Sequence, residues 1–224
     1  IKPEGELKDP RTGDPRAPQL LGAGAPPIND EADRLGQLAD WLTAPDNDRF
    51  AEMLVNRIWR QLMGRGLVEP VDDFRATNPP SHPALLAALA DELRRQQFAL
   101  KPMLRWIASS ATYQLAADPN PTNADDEVHY SRAIVRRYSA EQLADALSQA
   151  TARPIPYQGV PLGTRARDLA GVGAMLRRQG GPLAGDVWLR TTGRPQRLQS
   201  CECERSDETT LAQAFQLISG ELVH

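Results

Sequence analysis

The stretch that decides the fold is NRIWRQLMGRGLVEPVDDFRATNPPSHPALLAALADEL, residues 56–93. It starts within one helical pattern, crosses a long connection punctuated by prolines and enters a second helical pattern. The first helix is predicted at roughly 48–63, with Gly64 suited to the position just past its end. Ser81 is predicted to cap the second helix, with Pro83 tolerated in its first turn.

Apolar residues at helical spacing continue on both sides of this stretch. They predict a helix from Asp33, a cap at Asp46 or Asn47 for the helix at 48–63, and a further helix after FALKP at 98–102. Two more helices open with capping boxes, Ser139 with Gln142 and Thr210 with Gln213. The predicted buried positions are Ala51, Leu54, Val55, Ile58 and Leu62; Leu86, Leu89, Ala90 and Leu93; Leu104, Ile107, Ala108 and Ala111; Leu143, Ala146, Leu147 and Ala150; and Leu211, Ala214, Phe215 and Ile218.

No alternating β-branched run appears, so the predicted fold class is mainly α, an irregular helical domain with long ordered loops rich in proline and glycine. Residues 1–32 are predicted to form an extended linker or N-terminal arm, and 33–224 a single helical domain. Within that domain we expect a helical core at 33–151, mostly irregular structure at 152–208 and a closing helix at 209–220. The chain begins with Ile1, which is typical of a fragment or processed piece.

Composition excludes several classes of protein. The net charge of −3 does not favour a general binder of nucleic acid or anionic membranes. No run approaches the roughly 20 apolar residues of a membrane helix. Arginine supplies 23 of the 26 basic residues, and its guanidinium pairs with carboxylates in a bidentate way. Networks of ion pairs are therefore expected.

Asp72 and Asp73 could act as general acid and base, and Arg57 and His82 are weaker candidates for the same site. A hydrolytic or glycan-processing site needs two carboxylates facing one substrate, which adjacent residues on an extended segment cannot easily provide. A partner such as Glu141 or Asp145 would have to be brought in by the fold.

The structural alternative is that one aspartate holds its loop by bonding Arg57, Arg75 or Arg137. Asn56 and Arg57 in NRIW then belong to a buried polar network. His82, in NPPSHP, is a residue at a helix start in this alternative and a proton shuttle in the catalytic one.

Cys201 and Cys203 lie one residue apart in RLQSCECERSDETT. They could bind a soft metal or exchange electrons, although zinc normally takes four ligands and redox pairs prefer two intervening residues. The structural alternative is that one cysteine packs in the core while its neighbours form ion pairs.

Several phrases taken together resemble a known family. NRIW, GRGLVEP, DDF and NPPSHP are followed by RRYSAEQLADAL and by GRPQRLQSCECERSDETTLAQAFQLISG, over roughly residues 15–224. This order resembles the bacterial family known as domain of unknown function 1553, abundant in planctomycetes. The resemblance implies the C-terminal domain of a large exported protein, often behind a cytochrome c-like domain. This chain has no C-x-x-C-H, so any haem would belong to an upstream domain, and no cofactor is expected here.

The leading functional prediction is a non-catalytic interaction or assembly module of a larger exported bacterial protein. Expected partners are upstream domains of the same polypeptide and a protein or glycan; nucleic acid and membrane insertion are not expected. An extracytoplasmic location, periplasmic or at the cell surface, follows from the resemblance alone. The alternatives are a hydrolytic or glycan-processing enzyme domain that uses acidic residues and, more weakly, a metal or redox accessory through Cys201 and Cys203.

Overall fold

The computed structural model describes residues 7–16, 19–21, 33–169, 181–195 and 210–220. Over these residues the chain forms seven α-helices, joined by long ordered loops, and one pair of two-residue strands. The predicted fold class, mainly α, is confirmed. None of the helices in these ranges combines the length and the apolar character needed to cross a membrane.

The chain divides into two compact units, Ile1–Ile134 and Val135–His224, and each is described by itself. The predicted division into an arm at 1–32 and a single domain at 33–224 stays a prediction.

The first unit contains both strands and four helices. Strand β1 (Leu7–Lys8) pairs antiparallel with β2 (Pro15–Arg16). The helices are α1 (Arg34–Leu42), α2 (Asp48–Met63), α3 (Pro83–Arg95) and α4 (Leu100–Ala108).

Helices α2, α3 and α4 build the core of the first unit. Val55 of α2 and Leu93 of α3 are fully buried, and the predicted apolar stripes of both helices pack there. Asn47, one of the two predicted caps, caps α2 by accepting a hydrogen bond from the Phe50 amide, and Gly64 ends the helix in a left-handed conformation with φ +88°, as predicted. The capping prediction for α3 was wrong in one residue, because His82 is the N-cap.

The buried side of α4 also differs from the prediction. Met103 and Ile107 are buried, whereas Leu104 is 38% exposed. The helix ends at Ala108, so Ala111 lies beyond it. Met103 lies one position before Leu104, so this short helix is rotated about its axis relative to the predicted stripe.

The second unit contains α5 (Ala140–Thr151), a 3-10 turn (Ala166–Asp168), α6 (Ala184–Thr191) and α7 (Leu211–Ser219). Both predicted capping boxes are confirmed. Ser139 and Gln142 exchange hydrogen bonds at the start of α5, and Thr210 and Gln213 do so at the start of α7. Fully buried Trp188 on α6 packs with α5 in the core of this unit.

The burial predictions were wrong for two alanines of α5 and for the whole predicted stripe of α7. On α5 the buried alanines are Ala140 and Ala144, whereas Ala146 and Ala150 are exposed. The inner face of α5 is centred on small residues that allow close approach, while Leu143 and Leu147 are partly buried and pack beside it. On α7 the apolar side chains predicted to be buried are exposed: Leu211, Ala214, Phe215 and Ile218.

Candidate functional site

The side-chain amide of Asn56, on α2, holds the loop after α2 against that helix through hydrogen bonds. Its Nδ2 donates to the carbonyl oxygens of Val68 at 3.0 Å and Val71 at 2.9 Å. Its Oδ1 accepts from the amides of Leu67 at 2.7 Å and Val68 at 3.0 Å. Asn56 is fully buried, so all four hydrogen-bonding positions of the amide are satisfied away from water. The predicted buried polar network is confirmed at this residue.

The loop approaches Asn56 so closely that Gly66 has no room for a side chain. A Cβ atom at Gly66 would lie 2.5 Å from the Val68 carbonyl oxygen and 3.1 Å from Asn56 Oδ1. The Gly66 amide donates to Glu69 Oε1 at 2.7 Å. The second glycine of GRGLVEP, Gly66, is therefore required because no larger residue fits there.

Two arginine–carboxylate pairs hold the acidic part of the same loop. Arg57 on α2 binds Asp72 through two parallel hydrogen bonds of 2.7 and 2.9 Å. Arg75 binds Asp73 through two bonds of 2.6 Å, and this pair is more exposed. The structural alternative to acid–base chemistry predicted such a bond for one of the two aspartates, and the structure shows one for each. Hydrogen bonding from Arg75 lowers the pKa of Asp73 below its ordinary value.

His82, Ser81 and Tyr130 close the far end of the loop. The Ser81 hydroxyl does not cap α3; it donates to the Leu67 carbonyl oxygen at 3.1 Å and lies 3.0 Å from His82 Nδ1. The Tyr130 hydroxyl donates to the Gly66 carbonyl oxygen at 2.9 Å. The His82 ring lies 5.7 Å from that of His129, edge to face. His82 starts α3, as the structural alternative predicts.

Asp126 organises the polar loop that leads to Tyr130. It accepts hydrogen bonds from the Ser131 hydroxyl and from the backbone amides of Val128, His129 and Ser131. These bonds, that of the Ser131 hydroxyl first, hold the pKa of Asp126 well below the ordinary range of an aspartate. The Asp126 carboxylate therefore stabilises the conformation of residues 126–131.

A carboxyl with a lower pKa in the folded chain stabilises the fold above its unfolded pKa, and loses that effect as the pH falls through its folded pKa. We therefore expect this loop to stay ordered at pH 4, near the ordinary pKa of an aspartate. Asp126→Asn is expected to speed amide exchange at Val128, His129 and Ser131. Hydrogen exchange read by NMR tests this, with Asp125→Asn as the control. Equal exchange in both variants would contradict the assignment.

In the second unit, Glu141 and Asp145 on α5 bind other parts of that unit. Glu141 Oε1 lies 3.4 Å from Nε of Arg194, and both side chains are mostly buried. Asp145 accepts from the backbone amides of Ala166 at 2.7 Å and Arg167 at 3.4 Å, at the 3-10 turn. Glu141 thus lies in a different unit from Asp72 and Asp73.

Beside α5 lies an open cavity of about 850 Å³, which the sequence did not predict. Residues 142–149 of α5 form one wall, and the segment 152–167 forms the other. Tyr157 lines the cavity while its side chain is almost fully buried, and its hydroxyl has no hydrogen-bond partner within the described ranges. Burial, followed by the charges of Asp145 and Asp186, raises the pKa of Tyr157 to about 12.

Cys201 and Cys203 lie outside the described residues, so their metal or redox role stays a prediction. Across the described ranges no three His, Cys, Asp or Glu side chains come close enough together to hold a metal ion.

One family model matches the part of the chain that contains most of these residues. The model of the family described as Protein of unknown function (DUF1553) matches residues 33–169, more than half of the chain. The matched range includes the Asn56 network, the Arg57–Asp72 pair and all the cavity-lining residues. The chain matches no curated protein and no solved structure.

Proposed function

The chain belongs to the family of proteins of unknown function DUF1553, and we propose that it is a non-catalytic interaction or assembly module of a larger exported bacterial protein. The proposal rests on what the candidate carboxylates bind in the folded chain. Asp72 and Asp73 each form a bidentate pair with arginine. Asp145 accepts two backbone amides instead.

These contacts are unsuited to acid–base chemistry. A general acid in hydrolysis needs a raised pKa, and a second carboxylate must face the same substrate. Hydrogen bonds from arginine favour the ionised form, and the pKa of Asp73 is lowered in this way. The same carboxylates stabilise long loops on the helices, which supports a structural role for the signature residues.

A surface for a partner is offered by α4 and the turn after it. Large apolar side chains in residues 100–115 are 37–49% exposed: Leu100, Leu104, Trp106, Tyr113 and Leu115. Met103 and Ile107 of the same helix anchor it in the core of the first unit. Large apolar side chains that stay exposed on an anchored helix are a feature of protein interaction sites. The proposed partner is another part of the same polypeptide, and the extracytoplasmic location is part of the same proposal.

Trp106→Ala is the variant that tests this surface, with Lys101→Ala on the same helix as its matched control. Both side chains are exposed, so each variant is expected to change the free energy of unfolding of the chain by less than about 1 kcal/mol. In the full-length gene product, residues 100–115 are expected to exchange amide hydrogens more slowly than in this chain alone. Trp106→Ala is expected to abolish that protection, and Lys101→Ala to retain it.

Two results would overturn the proposal. Equal exchange of residues 100–115 in the chain alone and in the full-length product would show that nothing covers the surface. Turnover of a glycoside substrate that disappears in Glu141→Gln, with the helical circular dichroism unchanged, would instead support the hydrolytic alternative.

A further inference from the structure

Two of the three histidines of the chain meet at the start of α3. The rings of His82 and His129 have their centroids 5.7 Å apart and their planes at 85° to each other. A zinc ion binds a histidine nitrogen at about 2.0–2.1 Å, so two imidazoles on one ion have their centroids roughly 5–6 Å apart. The observed separation and the nearly perpendicular planes suit two ligands of a single ion.

The Ser81 hydroxyl determines which ring nitrogen of His82 carries the proton. It must donate to the Leu67 carbonyl oxygen, 3.1 Å away, because a carbonyl has no proton to give. Its oxygen lies 3.0 Å from His82 Nδ1 and is left to accept a hydrogen bond from an Nδ1–H group. The neutral ring therefore has its lone pair on Nε2. Histidines that bind metal ions have this arrangement, in which the other ring nitrogen donates its proton within the protein.

Both rings belong to segments that the fold holds in place. His82 is the N-cap of α3, and its carbonyl oxygen accepts the Leu86 amide at 3.0 Å. Its ring lies against that of Tyr130, with the centroids 5.8 Å apart. The backbone amide of His129 donates to the Asp126 carboxylate at 2.8 Å. A metal ion would therefore find both ligands on ordered backbone, which reduces the entropy lost on binding.

The pair is open to solvent and supplies two ligands. His82 is partly exposed and His129 is exposed. Among the residues that the structure describes, no third His, Cys, Asp or Glu side chain completes a metal-binding group with them. A bound ion would take its remaining ligands from water, which makes the site open and the ion exchangeable. Neutral imidazoles favour Zn²⁺, Ni²⁺ and Cu²⁺, whereas Mg²⁺ and Ca²⁺ prefer oxygen ligands.

We propose that His82 and His129 form a surface site for one transition-metal ion of the Zn²⁺, Ni²⁺ or Cu²⁺ class. Each histidine contributes one ring nitrogen, and Ser81 is a positioning residue that keeps the Nε2 lone pair of His82 available to the ion. The site departs from the expectation, drawn from the sequence, that this chain holds no cofactor. It is independent of the partner surface on α4, because α4 supplies neither ligand.

Calorimetric titration of the intact chain, prepared without a polyhistidine tag, tests the site with zinc, nickel and magnesium chlorides. The background carries Cys201→Ser and Cys203→Ser, so that no thiolate competes for the metal. We expect one Zn²⁺ or one Ni²⁺ ion to bind per chain, and Mg²⁺ to give no detectable binding. His82→Gln and His129→Gln are each expected to weaken Zn²⁺ binding about tenfold or more. His224→Gln, which removes the third histidine of the chain, is the matched control and is expected to bind normally.

Two further measurements separate metal binding from folding. His129 is exposed, so His129→Gln is expected to unfold at the same denaturant concentration as the unsubstituted chain while its Zn²⁺ affinity falls. Ser81→Ala is expected to weaken Zn²⁺ binding about tenfold, because the group that orients the His82 ring is lost. Nitrogen NMR of the metal-free chain at neutral pH is expected to show His82 with its proton on Nδ1.

The proposal is overturned if Zn²⁺ binds no more tightly than Mg²⁺, or if His224→Gln weakens Zn²⁺ binding as much as His82→Gln does. It is also overturned if only one of the two variants, His82→Gln and His129→Gln, changes the affinity, because a single histidine would then bind the ion. A neutral His82 ring with its proton on Nε2 would contradict the role given to Ser81 and with it the proposed site.

Discussion

Asn56→Ala is expected to lower the free energy of unfolding of the first unit by about 4 kcal/mol or more, which is a large part of the stability of a typical domain. The variant removes an amide that makes four hydrogen bonds to the backbone of residues 67–71. Each buried backbone group left without a partner costs about 1–3 kcal/mol, and the vacated volume adds a further loss. Chemical denaturation with hydrogen exchange resolved by peptide measures the effect in the first unit.

Asn56→Asp adds a dependence on pH that identifies the cause. Two carbonyl oxygens, those of Val68 and Val71, face the position of the side-chain nitrogen. An oxygen placed there would be repelled when ionised, so the introduced carboxyl is expected to have a raised pKa. A group whose pKa is raised by folding destabilises the folded chain increasingly as the pH rises above its unfolded value. The loss is therefore expected to grow from pH 4 to pH 7, whereas the loss in Asn56→Ala stays nearly constant.

Arg75→Ala is the matched control, because Arg75 fastens the same loop through an exposed ion pair with Asp73. Solvent screens exposed ion pairs strongly, so this variant is expected to be nearly neutral. If Asn56→Ala were as mild as Arg75→Ala, the buried amide would not be what holds the loop.

The sequence predicted contacts between residues close together in the chain better than contacts between residues far apart. Capping at Ser139 and Thr210 depends on contacts three residues apart, so the pattern alone identified it. For α2 the pattern left a choice between Asp46 and Asn47, and the structure shows Asn47. The Arg57–Asp72 pair spans fifteen residues, and the sequence offered it only among several arginine partners. The opposite charges suggested that Arg57 could bind a nearby carboxylate, and the folded path of the loop is what makes Asp72 its partner.

Periodicity failed where a helix is short or its surroundings are irregular. In α4 a rotation of about 100° about the helix axis separates Met103 from Leu104, and nine residues do not define a stripe sharply. The cavity of the second unit joins α5 to a segment without helical period, so no local pattern links Tyr157 to Arg165 or Gln142. The sequence feature that could have indicated the cavity is the pair of tyrosines, Tyr138 and Tyr157, because the chain has few aromatic residues.

Gly185→Ala is expected to destabilise the second unit by about 2–4 kcal/mol, since it forces a methyl group into a closed contact. A Cβ at Gly185 would lie 2.5 Å from Cε1 of Tyr157, 2.6 Å from Cγ2 of Ile155 and 2.6 Å from the Pro156 carbonyl oxygen. Real Cβ atoms do not approach other atoms so closely. The Gly185 amide also donates to that carbonyl at 3.2 Å, so the backbone cannot simply move apart.

Gly181→Ala is the matched control, because a Cβ at Gly181 would meet no atom within 4 Å. It replaces the same residue type four positions earlier and is expected to be neutral or slightly stabilising, since it reduces the freedom of the unfolded chain. Peptide-resolved hydrogen exchange over residues 140–169 and 184–191 should rise in Gly185→Ala and stay unchanged in Gly181→Ala. Equal stability of the two variants would mean that α6 does not pack on Tyr157 as closely as the structure has it.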